Sequence, residues 1–208
     1  MKLLHLDSSI TGTNSVSRTL SADIVAAHVA QYPSTEVTYH DLANEPLLHL
    51  SPAHLAAFQG GQPESAALGQ DVAQGFQYLE ELINADVVVI GAPMYNFGVP
   101  SQLKAWIDRV VVAGKTFRYS ERGPEGLLSP TKKVYIAAST GGMYSGDSPA
   151  KALEHAVSYL KGVFGHIGLK DVTVIGAEGV NISPEVRQGA LTKARRAIDV
   201  SLAARVAA

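Results

Sequence analysis

Short apolar runs alternate with amphipathic stretches along the whole chain. The run at residues 87–90 consists only of β-branched side chains, which is typical of a strand covered on both faces. Regular alternation of strand-like and helix-like stretches indicates β-α-β units and a largely parallel sheet. The pattern therefore predicts a doubly wound α/β domain of three layers, with helices on both faces of the sheet.

The positions of the apolar runs predict five strands and the helices that connect them. Strands are expected at residues 2–6, 36–40, 86–90, 133–138 and 172–176. Helices are expected from residue 16 to the break at Pro33, and at residues 101–111, 150–164 and 184–204. No long linker interrupts the alternation, so residues 1–208 are expected to form a single domain.

The segment 42–84 departs from the regular alternation. A break at residues 60–63 separates two helices, and the second helix carries Phe76, Leu79, Leu82 and Ile83 on one predicted face. We interpret the segment as a helical insertion within the domain.

The segment 115–131 also departs from the alternation. Its apolar and polar residues alternate around Gly123-Pro124, which predicts a hairpin-like excursion from the sheet. Such an excursion either covers a pocket or a partner chain with its aromatic side chains or is a plain surface hairpin, and the sequence favours neither.

Composition narrows the classes of function. The chain of 208 residues has 46% hydrophobic and 17% charged residues and a net charge of −2, so it lacks the basic surface that nucleic acid or an anionic membrane would require. It has no cysteine, which excludes disulfides and thiol redox centres, so any redox work must use a bound cofactor. The short apolar run at the N-terminus does not resemble a signal peptide, and we expect a cytoplasmic protein.

Three polar or glycine-rich loops follow predicted strands one, three and four. The first, residues 7–18, has seven hydroxyl or amide side chains before a helix start. This is the composition of a phosphate site, although plain helix capping by Asn14 or Ser15 is the alternative. Neither of the glycine motifs of nucleotide-binding loops is present.

The second loop, residues 93–100, offers aromatic and amide side chains, and the third, residues 139–146, has paired glycines that allow close backbone approach. In a sheet of order 2-1-3-4-5, strands one, three and four are neighbours, and ligands bind beyond their carboxyl ends. One ligand is therefore expected to touch all three loops.

On these residues the chain resembles the FMN-dependent NADH azoreductases, which are related to the flavodoxin-like NAD(P)H quinone oxidoreductases. The resemblance extends from end to end, and its most specific segment is Pro93-Met94-Tyr95-Asn96-Phe97 with Pro100. It implies a flavodoxin-like five-stranded fold, a tightly bound FMN, and a homodimer with the FMN near the interface. It also implies a cofactor site formed by Ser9, Ser15, Val16 and Ser17 at the phosphate, Pro93, Met94, Tyr95, Asn96 and Phe97 at the isoalloxazine, and Ser139, Thr140, Gly141 and Gly142 at the pyrimidine edge.

The same resemblance implies a reaction. Hydride would pass from NADH or NADPH through FMN to quinones in a ping-pong cycle, and azo compounds would be cleaved to aromatic amines. No catalytic acid or base is then required. Asn96, Tyr119 and Phe164 are the candidate substrate contacts, with a core position as the alternative for Phe164.

Several other functions remain as alternatives or are disfavoured. An electron-carrying flavodoxin and a non-catalytic FMN sensor are the alternatives, although carriers tend to be strongly acidic. The seven histidines show no metal-ligand spacing, so no metal site is expected. A triad of Asp7, Ser9 and a histidine is disfavoured because the chain lacks the Gly-x-Ser-x-Gly turn of hydrolases.

Overall fold

Five parallel strands form the central sheet of the computed structural model, which describes residues 1–203. The seven strands are β1 (Lys2–Asp7), β2 (Glu36–Asp41), β3 (Val87–Pro93), β4 (Phe117–Ser120), β5 (Gly123–Gly126), β6 (Lys133–Ser139) and β7 (Asp171–Ala177). The main sheet has the order β2-β1-β3-β6-β7. Counted along the main sheet alone, this is the predicted order 2-1-3-4-5, and the doubly wound, flavodoxin-like fold class is confirmed.

Six α-helices lie within the described residues. They are α1 (Val16–Gln31), α2 (Pro52–Phe58), α3 (Ala66–Asn84), α4 (Ser101–Val110), α5 (Ala156–His166) and α6 (Pro184–Ala203). All except α2, which packs on α3, cover a face of this sheet. The end of the helix predicted at 184–204 falls on Ala204, which lies outside the described residues. None of the helices within the described chain combines the length and the apolar character of a membrane span.

The side chains of β3 explain why the sheet is covered on both faces. Val87 and Val89 pack with α1 and α6 on one face, and Val88 and Ile90 pack with α3, α4 and α5 on the other. Successive side chains of a strand point to opposite faces, so an uninterrupted apolar run requires apolar cover on both.

Two local predictions differ from the structure. The helix predicted at 150–164 is divided into a short 3-10 turn, Lys151–Leu153, and α5, which begins at Ala156. Phe76 lies outside the buried stripe of α3, with 47% of its surface exposed, and it packs edge-on against Phe58 at 5.8 Å between ring centroids. The stripe follows Leu79 and Leu82 at helical spacing, and Phe76 falls at its margin.

The excursion between α4 and β6 contains an antiparallel hairpin of β4 and β5. Its base is attached to the segment between α5 and β7, because the Leu128 amide donates to the Ile167 carbonyl at 3.1 Å. Gly126 approaches Gly168 so closely that a Cβ on Gly126 would lie 2.1 Å from the Gly168 nitrogen. Since Ile167 and Gly168 precede β7, the hairpin is anchored where β7 begins, away from the loops that follow the strands.

Candidate functional site

The loop after β1 brings hydroxyl groups to the N-terminus of α1. Ser15 is the N-cap residue, and its side chain accepts a hydrogen bond from the Arg18 amide at 3.3 Å. The amides of Val16 and Ser17 are the first two of the helix and have no acceptor within it. They lie at the positive end of the helix dipole, which favours a bound anion. Ser15 therefore caps α1, which was the alternative prediction for this loop. The free amides at the start of the helix still offer a site for an anion.

Arg18 holds the loop after β1 in place through hydrogen bonds. Its guanidinium donates to the Ser9 carbonyl at 2.6 and 3.2 Å and to the Asp41 carboxylate at 2.5 Å. The hydrogen bond with Asp41 raises the pKa of Arg18 against the effect of burial. Burial acts to raise the pKa of Asp41, but Arg18 together with the backbone amides of Ala43 and Asn44 holds that pKa below its ordinary value. The charge of Arg18 is thus balanced by a carboxylate.

The loop after β3 contains a strained two-residue turn. The backbones of Tyr95 and Gly98 exchange two hydrogen bonds of 3.0 Å, and Asn96 and Phe97 between them have φ angles of 47° and 70°. Both angles lie in the left-handed region, as in type I′ turns. Asn tolerates this region, whereas a bulky residue such as Phe97 rarely adopts it. Such strain is common at functional sites.

The three predicted loops are joined by direct contacts. The Tyr95 hydroxyl is 3.1 Å from the Ser9 hydroxyl and accepts from the Ile10 amide at 3.2 Å. The Met94 amide donates to the Ser139 carbonyl at 2.9 Å. These bonds bring the ends of β1, β3 and β6 together at one edge of the sheet.

A fourth segment, between β7 and α6, packs against the loop after β6. The amides of Val180 and Asn181 donate to the carbonyls of Thr140 and Gly141, each at 3.1 Å, and a further backbone bond joins Gly179 to Gly142 at 2.9 Å. A Cβ on Gly141 would lie 2.7 Å from the Asn181 side-chain nitrogen. An alanine at position 141 would therefore require the Asn181 side chain to shift.

All four segments line one cavity of about 310 Å³. The lining residues are Ser9, Thr11, Asn14, Ser15, Val16, Pro93, Met94, Tyr95, Ser139, Gly141, Val180, Asn181 and Arg187. This lining combines hydroxyl and amide groups with a few apolar surfaces, and it contains no carboxylate. Its electrostatics suit an anionic ligand that also has an apolar part.

Eight of the predicted cofactor residues line this cavity and five do not. The eight are Ser9, Ser15, Val16, Pro93, Met94, Tyr95, Ser139 and Gly141. The five are Ser17, Asn96, Phe97, Thr140 and Gly142. Ser17 is fully buried, with its hydroxyl 3.0 Å from the Ser15 hydroxyl, so it does not face the cavity. The Thr140 hydroxyl donates to the Gly142 carbonyl at 2.8 Å and thereby shapes the loop.

A second cavity, of about 640 Å³, lies beside the first. Tyr95 lines both cavities, and Asn96 lines the second together with Lys104, His155 and Tyr159. Phe97 stands on the rim of the site, where its carbonyl accepts from the His155 amide at 3.1 Å. Asn96, a candidate substrate contact, thus lines the second cavity, and its role stays a prediction.

The structure does not bring the other two candidate substrate contacts to the site. Phe164 is fully buried in the core between α5 and the sheet, so its side chain is not available to a substrate and the core alternative is favoured. Tyr119 is 77% exposed but belongs to the hairpin that is anchored where β7 begins. Within one chain, Tyr119 lies away from both cavities.

Sequence reasoning missed Asn181, in the segment between β7 and α6, and Arg187, in the first turn of α6, which both line the cavity. The rule that ligands lie beyond the carboxyl ends of strands applies to β7 as well. Applying it to the polar and glycine-containing residues 178–183 would have included Asn181. Arg187 lies a helical turn further on, and its direction depends on how α6 packs against α1.

The groups that would form a hydrolase triad are engaged elsewhere. The Asp7 carboxylate accepts from the Ser21 hydroxyl at 2.7 Å, and the Ser9 hydroxyl contacts Tyr95 and Thr11. His5 lies 3.7 Å from Asp7, so no chain from carboxylate through imidazole to Ser9 is formed. Within residues 1–203 no three side chains of the metal-binding types are grouped for an ion.

A buried ionic cluster lies apart from the site, between α2, α3 and α4. The Arg109 guanidinium donates to the Asp71 carboxylate at 2.8 and 3.2 Å, and His54 is 3.1 Å from the same oxygen. Burial acts to raise the pKa of Asp71, but the Leu48 amide and Arg109 together hold it below its ordinary value. The cluster fixes the segment between β2 and α3 against α4.

Comparison with known proteins identifies a family, two relatives and a solved structure. A family described as having a flavodoxin-like fold matches residues 1–202. The chain is 54% identical over 197 residues to "FMN-dependent NADH:quinone oxidoreductase 2" of Bradyrhizobium diazoefficiens, covering 95% of this chain and 96% of the relative. It is 50% identical over 198 residues to an FMN-dependent NADH:quinone oxidoreductase of Rhizobium meliloti, covering 95% of each.

Among solved structures, an azoreductase from Bacillus anthracis has a similar fold. Its TM-score is 0.81 at 29% sequence identity, and the match covers 95% of this chain and 98% of that one.

Proposed function

This chain belongs to the family with a flavodoxin-like fold, and from that premise we propose that the 310 Å³ cavity at the carboxyl edge of its sheet binds FMN. The chain is an FMN-dependent NADH:quinone oxidoreductase, in agreement with relatives that share half of its residues over nearly the full length. The observation that carries the site assignment is the convergence of the loops after β1, β3, β6 and β7 on this one cavity.

The chemistry of the lining fits the phosphate of FMN. The Ser9 and Ser15 hydroxyls and the Val16 amide, which has no acceptor within the helix, are donors, and the lining contains no carboxylate that would repel an anion. Backbone amides at a helix N-terminus bind phosphate without requiring a lysine. We assign the phosphate to this end of the cavity.

The remaining lining fits a planar heteroaromatic ring. Pro93, Met94 and Tyr95 provide apolar surface at the end of β3, and Gly141, which has no side chain, lines the cavity together with Ser139. The carbonyls of Gly141 and Gly142 already accept hydrogen bonds from the segment after β7, so their amides are the groups that we assign to the ring edge. Such fixed donors stabilise developing negative charge without moving a proton.

The chemistry that bound FMN supplies is hydride transfer, from NADH to a quinone. The residues of the chain bind and orient the reactants, and the 640 Å³ cavity beside Tyr95 and Asn96 is the proposed place of the substrate. Because both reactants would use this one opening, we propose that they bind in turn. We also propose azo compounds as acceptors, which is supported by the similarity to an azoreductase.

We propose that the protein is a homodimer with the cofactor near the interface. The support is a set of exposed apolar side chains around the site, namely Ile10, Phe97, Met143 and Leu153, and the exposed Tyr119 on the hairpin. Patches of this kind mark interaction surfaces. Sedimentation of the holoprotein tests this proposal, since a fully active species of about 22 kDa (mass of one chain) would contradict it. We also propose a cytoplasmic location, where NADH is available.

The visible spectrum of the purified protein, followed by stopped-flow mixing with NADH, tests the proposed activity. We expect a yellow protein whose flavin absorbance bleaches with NADH and returns when a quinone is added. An electron-carrying flavodoxin or a non-catalytic sensor would bind flavin without bleaching. A preparation that stays colourless in excess FMN would contradict the cofactor assignment itself.

A matched pair of glycine substitutions tests the location of the cofactor. Gly141→Ala would push against the Asn181 side chain, whereas Gly162→Ala on α5 meets open space within 4 Å. We expect weaker FMN binding in the first variant and unchanged binding in the second. Equal FMN affinity in both variants would place the cofactor elsewhere.

A further inference from the structure

Arg187 crosses from the first turn of α6 to the loop that precedes α1. Its terminal nitrogen donates to the Asn14 carbonyl at 2.7 Å, and Asn14 directly precedes Ser15, the N-cap of α1. Both Asn14 and Arg187 line the 310 Å³ cavity. The guanidinium therefore stands beside the helix end to which the phosphate is assigned.

The charges around the cavity leave Arg187 without a carboxylate partner. None of the ion pairs formed within residues 1–203 includes Arg187, and the cavity lining contains no Asp or Glu. The other arginine near this helix end, Arg18, is paired with Asp41 at 2.5 Å. Arg187 is thus the cation of this lining whose charge is not already balanced.

The guanidinium also keeps donors for a second acceptor. An arginine has five N–H groups, and the contact with Asn14 uses one of them. Hydroxyl and amide donors hold an anion through neutral hydrogen bonds, whereas a guanidinium adds charge and matches the geometry of phosphate oxygens.

We propose that Arg187 supplies the positive charge that pairs with the phosphate of the bound flavin, and so makes the site select FMN over uncharged riboflavin. This inference rests on the proposed flavin site. The proposed phosphate site then includes a residue from near the other end of the chain, and the first turns of α1 and α6 both contact the phosphate.

Titration of apoprotein with FMN and with riboflavin, followed by quenching of flavin fluorescence, tests the inference. For Arg187→Gln we expect the Kd for FMN to rise by about ten- to a hundredfold, as for loss of a charge-assisted hydrogen bond, and the Kd for riboflavin to stay the same. Arg187→Lys keeps the charge and should recover part of the preference. The dependence of FMN affinity on salt should weaken in Arg187→Gln, because a charge pair is lost.

Arg195→Gln is the matched control on the same helix. Arg195 pairs with Asp23 at 2.8 Å on the exposed side of α6, so its loss should leave both flavin affinities unchanged. Urea unfolding of each apoprotein checks that the variants are folded.

The outcomes distinguish failure of the proposed flavin site from failure of the role of Arg187. A wild-type protein that binds neither flavin contradicts the proposed flavin site. A wild-type protein that prefers FMN, together with an Arg187→Gln variant that keeps the same preference, overturns the role of Arg187 and leaves the site in place. Equal losses for FMN and riboflavin would mean that Arg187 only tethers the loop at Asn14, which also overturns the inference.

Discussion

The left-handed conformation of Phe97 gives a quantitative prediction about the turn at the site. With φ at 70°, its Cβ is crowded against the backbone, a cost of roughly 1–2 kcal/mol for an L-residue. We compare Phe97→Ala with Phe97→Gly. Both variants lose the ring and its edge contact with Tyr144, which is 6.5 Å away between centroids, so the loss of packing cancels between them.

The expected difference between the two variants follows from two opposing terms. Glycine removes the Cβ strain, about 1–2 kcal/mol, but it also increases the freedom of the unfolded chain, which costs about 0.4–1 kcal/mol. The glycine variant should therefore be more stable than the alanine variant by about 1 kcal/mol. Both variants lack the ring and differ only in backbone strain, so any change in quinone reduction should be the same in the two.

Urea unfolding of the apoproteins measures this difference. The control is Gly162→Ala on α5, where φ is not in the left-handed region and alanine should be the more stable residue by about 0.5–1 kcal/mol. If alanine is as stable as glycine at position 97, the turn does not store strain and the reasoning is refuted. If only one of the two variants loses quinone reduction, the separation of strain from function is refuted instead.

Three further predictions concern charge. Ser17→Asp puts a carboxylate in the first turn of the helix to whose end the phosphate is assigned, and two like unit charges about 4 Å apart repel by about 4 kcal/mol at an effective dielectric constant of about 20. Ser17→Asp should therefore lose FMN on dialysis, whereas Ser17→Asn, which has the shape of Asp without its charge, should retain more. Equal retention would contradict the phosphate assignment. Asp71→Asn should lower the free energy of unfolding by about 3–5 kcal/mol, because Arg109 is left buried and unpaired. The double variant with Asp71→Asn and Arg109→Met should lose less stability than the sum of the losses in the two single variants. Strictly additive losses in urea unfolding would contradict this coupling. The folded-state pKa values of Asp41 and Asp71 lie below the ordinary value. The stability that these carboxylates contribute should therefore be complete above about pH 4 and be lost as the pH falls through their folded-state pKa values. In unfolding experiments from pH 5 to 2, the free energy of unfolding should fall less steeply in Asp71→Asn than in the wild type, and equal slopes would argue against the depressed pKa.

Much of the fold follows from local patterns. The apolar run at 87–90 predicts a strand covered on both faces, and Val87 and Ile90 are indeed packed against opposite helix layers. The three polar loops were found in the sequence because a parallel sheet gathers the carboxyl ends of its strands at one edge. These features depend on residue periodicity and chain direction, which are written in the sequence.

The tertiary structure decided which side chains reach the cavity. Ser17 and Phe164 have the residue types of a phosphate loop and a substrate platform, yet both are fully buried. Arg187 lies more than 170 residues from Asn14, as the separation in their hydrogen bond shows, and no periodicity in the sequence links them. The sequence by itself determined the layers and the loops that hold the site, because these follow from local preferences, whereas the strand order came from the resemblance to a known family. Which side chains are buried and which distant residues meet depend on the orientation in which the helices pack against the sheet. That orientation is set only in the folded chain.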